Sequence, residues 1–404
     1  MRIDPARQDW MTAPATLAVM QALGEARFVG GAVRDALTQR AVTDIDIATP
    51  LTPQEVMARL AAAHIKSVPT GIDHGTVTAV VSGKPFEITT LRRDTETDGR
   101  HAKVAFTDDW EEDAKRRDFT MNALYVGMDG EIFDYASGVE DLIAGRVRFM
   151  GDPAKRIAED YLRILRLFRF HAWYGKGEID SEALRAAAAG KGALAQLSGE
   201  RVQKEMLRLL ESPDPAPVLR IMAAAGILPD LLPGALLLPR LERLAVIDAE
   251  NGFAPDAVLR LAALLPDNKQ SARDVAKKLR LSNAHAARLD DLAQAEENIA
   301  TSVQQARKNL YRLGPARFAD RVFLKWAGGQ GNPIQWRMLL SMARDWRQPK
   351  FPLTGHDLMQ AGVPEGPVLG EILAEVEAWW IENDFPDDEA ALAEKTKAAI
   401  KAHS

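Results

Sequence analysis

Two aspartates stand two residues apart, Asp44 and Asp46, in the run Asp44-Ile45-Asp46-Ile47. Polar and apolar residues alternate there, which predicts a half-buried strand over residues 44–48. Side chains at i and i+2 of a strand share a face, so both carboxylates project together while Ile45 and Ile47 enter a core. Adjacent carboxylates repel, and a divalent cation relieves that repulsion. Oxygen ligands at this spacing suit Mg²⁺, whose other positions go to water or to substrate phosphates. Glu87 heads the β-rich run Glu87-Ile88-Thr89-Thr90 and offers a third carboxylate from a neighbouring strand. Alone, the aspartate pair fits a polar edge strand better than a metal site.

Upstream stands Gly30-Gly31-Ala32-Val33-Arg34-Asp35, between a strand expected at residues 26–29 and a helix expected at 32–39. Paired glycines let the backbone approach a bulky anion, a helix start presents free N–H groups, and Arg34 adds a charged donor. An ordinary tight turn accounts for the glycines but not for the arginine. A triphosphate cradle next to a metal site implies phosphoryl-group chemistry, in which two metals about 3.5–4 Å apart activate a hydroxyl and stabilise leaving pyrophosphate.

A second set of charges lies in Glu159-Asp160-Tyr161-Leu162-Arg163-Ile164-Leu165-Arg166-Leu167-Phe168-Arg169-Phe170. Asp160, Arg163, Arg166 and Arg169 recur every three residues on a run that reads as one helix, so they form a slanting ridge. Arginines set between Leu and Phe need partners. An internal Asp–Arg ladder would supply them. So would a nucleotide base: aspartate accepts from an exocyclic amine and arginine donates to a ring nitrogen. Cytosine and adenine present amine beside acceptor on that edge, whereas uracil and guanine present the opposite order. Asp160 with Arg163 could thus accept C and A without a nucleic-acid template.

The elements that must position these groups divide the chain. The first 150 residues mix strand and helix signals. Thr52-Pro53 with Glu55 opens a helix, residues 76–81 and 86–90 form a hairpin around Ser82-Gly83-Lys84-Pro85, and residues 92–110 read as a long functional loop. After Gly151-Asp152-Pro153 the periodicity is helical to the end, with Pro and Gly punctuation and no fixed-period repeat. The fold class is therefore α+β: an N-terminal head with a small mixed sheet, then an all-α remainder. At 404 residues, 47% apolar and 27% charged, this is ordinary globular composition. Cysteine is absent, which excludes disulfides and thiolate chemistry and fits a cytoplasmic protein. Neither a signal peptide nor a membrane span is expected. The net charge of −6 is the wrong sign for a nucleic-acid binder, but residues 146–210 hold 13 Lys and Arg against 8 Asp and Glu, a local +5.

With these residues assembled, the chain resembles the class II tRNA nucleotidyltransferases, the family of bacterial CCA-adding enzymes and poly(A) polymerases. The resemblance spans nearly the whole chain and is densest over residues 28–170. It implies that Gly30, Gly31 and Arg34 bind a triphosphate, that Asp44 and Asp46 hold Mg²⁺ (two ions), and that Glu87 is a third catalytic carboxylate. Arg116-Arg117-Asp118-Phe119-Thr120-Met121-Asn122-Ala123 is similar to the family's ribose-recognising motif, which places Arg117 and Asp118 against the nucleotide. Gly138-Val139-Glu140-Asp141-Leu142 resembles the motif at the head–neck hinge. Asp160 and Arg163 match the amino-acid template, Arg166 and Arg169 further nucleotide contacts, and residues 200–206 a neck-helix element. The implied layout is a catalytic head (1–150), a neck with the nucleotide-selecting helix (151–212), a body (213–330) and an RNA-binding tail (331–404). The implied partners are the tRNA acceptor arm and 3′ end, CTP and ATP, with no membrane and no protein partner. Among family members, the acidic stretch at residues 382–389 and the pattern Gly71-Ile72-Asp73-His74-Gly75-Thr76-Val77-Thr78 favour CCA addition over poly(A) synthesis, and an intact 92–110 segment favours adding the terminal A over CC addition alone. A metal-dependent glycosyltransferase would leave Asp160 and Arg163 without a role, and a plain RNA-binding module would not need three carboxylates. His356-Asp357, the lone His–Asp pair an HD phosphohydrolase would require in greater number, reads as a helix start after Thr354-Gly355.

Overall fold

Strand β1 (Arg27–Val29) buries Phe28 and Val29 and leads straight into a helix at Gly30-Gly31. Around it lies a seven-stranded sheet in the order β3-β4-β5-β2-β1-β8-β9, with β2 (Asp46–Thr49), β3 (Lys66–Gly71), β4 (Thr76–Val81), β5 (Lys84–Thr90), β8 (Leu124–Val126) and β9 (Ile132–Asp134). The pair β2–β5 is parallel and the other pairs are antiparallel. In this computed structural model, which describes residues 1–96, 103–234, 236–294, 299, 302–329 and 331–403, 59% of the chain is helical. Among the described residues no strand follows β9.

The central strands carry the core. Ile47, Ala48 and Thr49 of β2 are buried, as are Phe86, Ile88 and Thr90 of β5, the even positions of a period-two pattern. Helices α1 (Pro14–Leu23) and α3 (Pro53–Ala62) pack on each other, and α3 also packs on β3 and β4. Val56 and Leu60, one turn apart on α3, are fully buried. Thr52 caps α3 in a capping box with Glu55, as the sequence predicts. Helix α2 (Gly31–Leu37) follows β1. The β4–β5 hairpin turns on Ser82 and Gly83 alone, both at positive φ (51° and 78°), so Lys84 and Pro85 belong to the strand rather than to the turn.

Two expectations change. Residues 92–110 are not a structureless loop: β6 (Arg92–Glu96) pairs with β7 (Lys103–Phe106) as a separate antiparallel ribbon, and α4 (Trp110–Lys115) starts at its end, capped by Asp109. A two-stranded ribbon has little core to face, so its residues show no alternation to read. The part of that segment at 97–102 lies outside the described residues. The run at 159–170, read as one helix, is also broken. Helix α5 (Pro153–Glu159) ends at Asp160, whose backbone is extended (φ −155°, ψ 106°), and α6 (Leu162–Tyr174) begins after it. Helix α7 (Gly199–Leu210) packs along α6. Asp44 likewise precedes β2, and only Asp46 lies within the strand.

The chain divides into two compact units, one of residues Met1–Pro233 with Lys277–Leu281 and one of Gly234–Ala276 with Ser282–Ser404. The second is helical. It buries the pair Asp248–Arg260 (2.8 Å) between helices Leu238–Asn251 and Ala257–Leu264, and it closes with an apolar cluster of Leu358, Val363, Ile372, Val376 and Ala399. Thr354 and Asp357 form a capping box there, so the His356-Asp357 segment is a helix start as expected. Among the described residues no helix is long and apolar enough to cross a membrane.

Ile47 has no exposed surface and lies beside Asp46. Ile47→Ala is expected to cost about 2–5 kcal/mol by cavity formation. Urea unfolding of the two proteins measures this, and an unchanged midpoint would contradict the assigned core.

Candidate active site

A cavity of about 730 Å³ opens within the first unit. One wall comes from the sheet side: Gly31, Arg34, Asp35, Arg40, Asp44 and Asp46. The opposite wall comes from α6 and α7. On α6 the lining residues are Leu162, Arg166, Arg169, Trp173 and Tyr174, the first four spaced 4, 3 and 4 along one face of a 3.6-residue helix. On α7 they are Arg201, Lys204, Glu205 and Arg208, again one face.

Asp44 is exposed and Asp46 half-buried at this cavity. Asp46 sits in register with Glu87 across the parallel pair β2–β5, which puts these two side chains on one face of the sheet. Burial, then the Glu87 charge, push the Asp46 carboxyl up to about 6; Arg117 opposes this and Asp44 adds to it. Glu87 is itself exposed and does not line the cavity. Gly30 caps α2 with φ +67°, and this backbone conformation, not lack of space, is what asks for glycine there.

Arg34 is buried (8% exposed) and held from three sides. It donates from Nη1 to Asn122 Oδ1 (2.6 Å) and from Nε to Asp35 Oδ1 (3.1 Å), and its guanidinium lies over the Tyr174 ring at 4.5 Å. Asn122 in turn donates from Nδ2 to Asp118 Oδ1 (3.0 Å), and Asp118 Oδ2 accepts from Arg166 Nε (2.7 Å). Burial raises the Asp118 carboxyl, but Arg166 and the Asn122 bond outweigh it and leave it below the usual carboxylate range. Buried Glu205 of α7 accepts from Arg169 Nε (2.5 Å) and lies 3.6 Å from Arg166. Arg117 does not line the cavity. Asp113 of α4 holds it (3.0 Å from Nη2), Tyr125 accepts from its Nε (3.1 Å), and Tyr125 donates to Asp113 (2.7 Å). Arg156 on α5 fixes the backbone there by donating to the Arg117 carbonyl (2.5 Å).

Asp160 and Arg163 are not brought together. Asp160 accepts from Arg201 Nη2 (2.7 Å), and Arg163 turns back to Glu159 and to the carbonyl of Arg156 (2.7 Å). Neither lines the cavity: the helix break at Asp160 takes it off the α6 face, and Arg163, one residue past Leu162, is turned about 100° away from that face. Asn122 and Glu205 enter as long-range partners of Arg34 and Arg169, whereas Asp113 meets Arg117 only four residues on.

Residues 26–148 match the Poly A polymerase head domain, residues 178–237 a segment described as a probable RNA and SrmB-binding site of polymerase A, and residues 256–396 tRNA nucleotidyltransferase domain 2. The chain is 36% identical over 387 residues to CCA tRNA nucleotidyltransferase 1, mitochondrial, of Homo sapiens, spanning 89% of this chain and 84% of that one. It is 31% identical over 397 residues to the CCA-adding enzyme of Lactobacillus gasseri, spanning 94% and 95%. In three dimensions it is similar to the Bacillus stearothermophilus CCA-adding enzyme in complex with CTP, with TM-score 0.74, 28% identity, and 96% of this chain and 98% of that one covered. The chain belongs to the CCA-adding tRNA nucleotidyltransferases.

Nucleotidyltransferases of this family normally use divalent metals. The donors here fit one. Asp44 and Asp46 offer hard oxygen donors on one cavity wall, and the Asp46 carboxyl is raised first by burial and then by the Glu87 and Asp44 charges, which a cation would offset. Among the described residues no three His, Asp or Glu side chains are gathered closely enough to hold an ion together. Asp44 and Asp46 are the carboxylates that share the cavity wall, with Glu87 in register with Asp46 on the neighbouring strand.

Asp113 connects this site to stability. Burial raises its carboxyl, but Arg117, Arg116 and the Tyr125 hydroxyl bring it down to about 2. A carboxyl lowered on folding stabilises the protein above its unfolded pKa and loses that contribution as pH falls through its folded value. Roughly 2 kcal/mol of stability is thus expected to disappear between pH 4 and 2. Asp113→Asn should flatten that stretch of the pH profile and, by leaving Arg117 buried without a counter-charge, cost about 3–5 kcal/mol at pH 7. Denaturant midpoints at pH 7, 4 and 2.5 for both proteins check the two effects.

Proposed function

We propose that this enzyme adds CMP, CMP and AMP, taken from CTP and ATP, to the 3′ end of tRNA, with release of pyrophosphate. The observation that carries the reading is the cavity itself, with two aspartates on one wall and Arg34, Arg166 and Arg169 held around the same space. In each addition the RNA 3′-oxygen forms a bond to the α-phosphorus, the α–β anhydride breaks, and pyrophosphate leaves. Asp44 and Asp46 would hold Mg²⁺, two ions in all, and bound metal would acidify the attacking hydroxyl and neutralise the leaving phosphates. Glu87 completes the carboxylate set from β5.

The other site residues take their roles in this reading from the family resemblance. Gly30 and Gly31 form the tight approach to the phosphates, and Arg34, aimed by Asn122 and Asp35, donates to them. Arg117 and Asp118 hold the ribose side of the nucleotide. Arg166 and Arg169 face the cavity and contact the nucleotide from the neck. Asp160 and Arg163 read the base edge. In this structure both are engaged by protein, through Arg201 and Glu159, so reading a base means exchanging those ion pairs for the base. The tRNA acceptor arm is the second substrate. With bacterial CCA-adding enzymes among its relatives, we place the reaction in the cytoplasm.

Incubation of tRNA lacking its 3′ end with Mg²⁺ and each labelled nucleoside triphosphate tests this. CTP incorporation followed by ATP, stopping at three residues, is the expected result. Unlimited AMP addition would identify a poly(A) polymerase instead, and no incorporation would overturn the transferase reading. Asp44→Ala is expected to lower turnover by at least about 10³-fold while tRNA binding is kept. Wild-type turnover in that variant would refute the metal assignment.

A further inference from the structure

The cavity holds more positive charge than one nucleotide uses. Beyond Arg34, Arg166 and Arg169, its outer part carries Arg40, Arg201, Lys204 and Arg208. Arg201, Lys204 and Arg208 are exposed on one face of α7, while Val202, Met206 and Leu209 face the core. The three span seven residues, about 10 Å of helix. That is a ladder suited to successive phosphates of a strand rather than to one compact triphosphate. Lys204 makes no hydrogen bond or ion pair among the described residues, and Arg208 has only a 4.0 Å approach to Glu211.

An aromatic platform stands at the same end. Trp173 continues the cavity face of α6 one turn past Arg169. Its Nε1 donates to the Arg208 carbonyl (2.6 Å), which locks the ring against α7. Arg40, from the sheet side, donates to the Trp173 carbonyl (2.7 Å) and sets its guanidinium 5.1 Å from the Trp173 ring and 4.9 Å from the Tyr174 ring. A cationic track beside a fixed aromatic ring is the arrangement that holds single-stranded nucleic acid, with backbone on the cations and base on the ring.

Resting on the function proposed above, we propose that Trp173, Arg40, Lys204 and Arg208 form the subsite for the single-stranded 3′ end of the RNA acceptor. A terminal base stacks against the Trp173–Arg40 pair. The phosphates behind it follow Arg201, Lys204 and Arg208. The 3′-hydroxyl then lies in the same cavity as Asp44 and Asp46.

The test compares wild type, Trp173→Leu, Trp173→Phe and the double variant Lys204→Ala/Arg208→Ala. Two readouts are used: binding of tRNA lacking its 3′ end, by fluorescence anisotropy over a range of salt, and the separate KM values for that RNA and for CTP. Thermal melts confirm that each variant folds. The Leu variant and the double variant should weaken RNA binding roughly tenfold, and each should raise the RNA KM. The CTP KM should stay within about twofold. The Phe variant, which keeps a ring, should recover most of the binding. The double variant should also lower the salt slope by roughly 0.7 for each lost phosphate contact. Unchanged RNA binding in all variants, or a rise in the CTP KM alone, would overturn the subsite. Wild-type RNA binding without nucleotide transfer would instead overturn the proposed function and leave the subsite standing.

Discussion

Three guanidinium groups, Arg34, Arg166 and Arg169, stand round one cavity, and the rest of the site is arranged to make that tolerable. Buried cations in such proximity repel and lose hydration. Burial, Arg166 and Arg34 all push the Arg169 guanidinium toward neutrality, and Glu205 resists them. The compensation is a chain of alternating partners that crosses the cavity: Arg34 to Asn122, Asn122 to Asp118, Asp118 to Arg166, and Glu205 between Arg166 and Arg169. Asn122 is the one neutral member. Its carbonyl accepts from Arg34 while its amide donates to Asp118, so it links the Arg34 donor to the Asp118 acceptor. Through it the phosphate-side arginine of the sheet and the nucleotide-side arginine of the helix share one network.

The anionic wall is organised by register. Asp46 and Glu87 are opposed because β2 and β5 run parallel, and their mutual repulsion, with burial, lifts the Asp46 carboxyl. Arg117 is the opposing influence. It reaches that position because Asp113, Tyr125 and the Arg156 clamp leave it little freedom. The cavity therefore offers a negative end for cations and a positive end for phosphates. The positive end keeps an excess of cations over the carboxylates that hold them, which suits an anionic substrate carried with a divalent cation.

How much of this was legible in the sequence depends on the range of the interactions. Local features could be read: the Gly30-Gly31 turn, the strand that places Asp46, the Thr52 capping box and the Thr354 cap. Each depends on residues within a few positions of one another. The ridge of Asp160, Arg163, Arg166 and Arg169 was visible, but its geometry was not. A spacing of three suggested one continuous helix. Asp160, however, accepts the N–H of Leu162 two residues on and leaves the helix, and the face that meets the cavity follows the true helical period through Leu162, Arg166, Arg169 and Trp173. Residues 92–110 read as loop because an isolated ribbon has no buried face to impose alternation. Asn122 and Glu205 stand inside the motifs at 116–123 and 200–206, but the motifs do not show which side chains they hold. Their partners Arg34 and Arg169 lie 88 and 36 residues away for Asn122 and Glu205, so no periodicity could mark them.

The net charge of −6 had argued against a nucleic-acid partner. The structure shows why the global sum misleads. Seven cations and four carboxylates line a single cavity, while acidic residues elsewhere are spread over exposed positions such as Asp129, Glu140 and Asp345. At physiological ionic strength, charges more than about 8 Å apart on the surface are largely screened. A phosphate entering the cavity therefore meets the local excess of arginine and lysine and not the sum over the chain. In a low-dielectric cleft that excess acts more strongly than the same charges would on an open face. An acidic protein can thus hold a polyanion, provided that its cations converge on one cavity and nearby carboxylates such as Glu205 and Asp118 pin them in place.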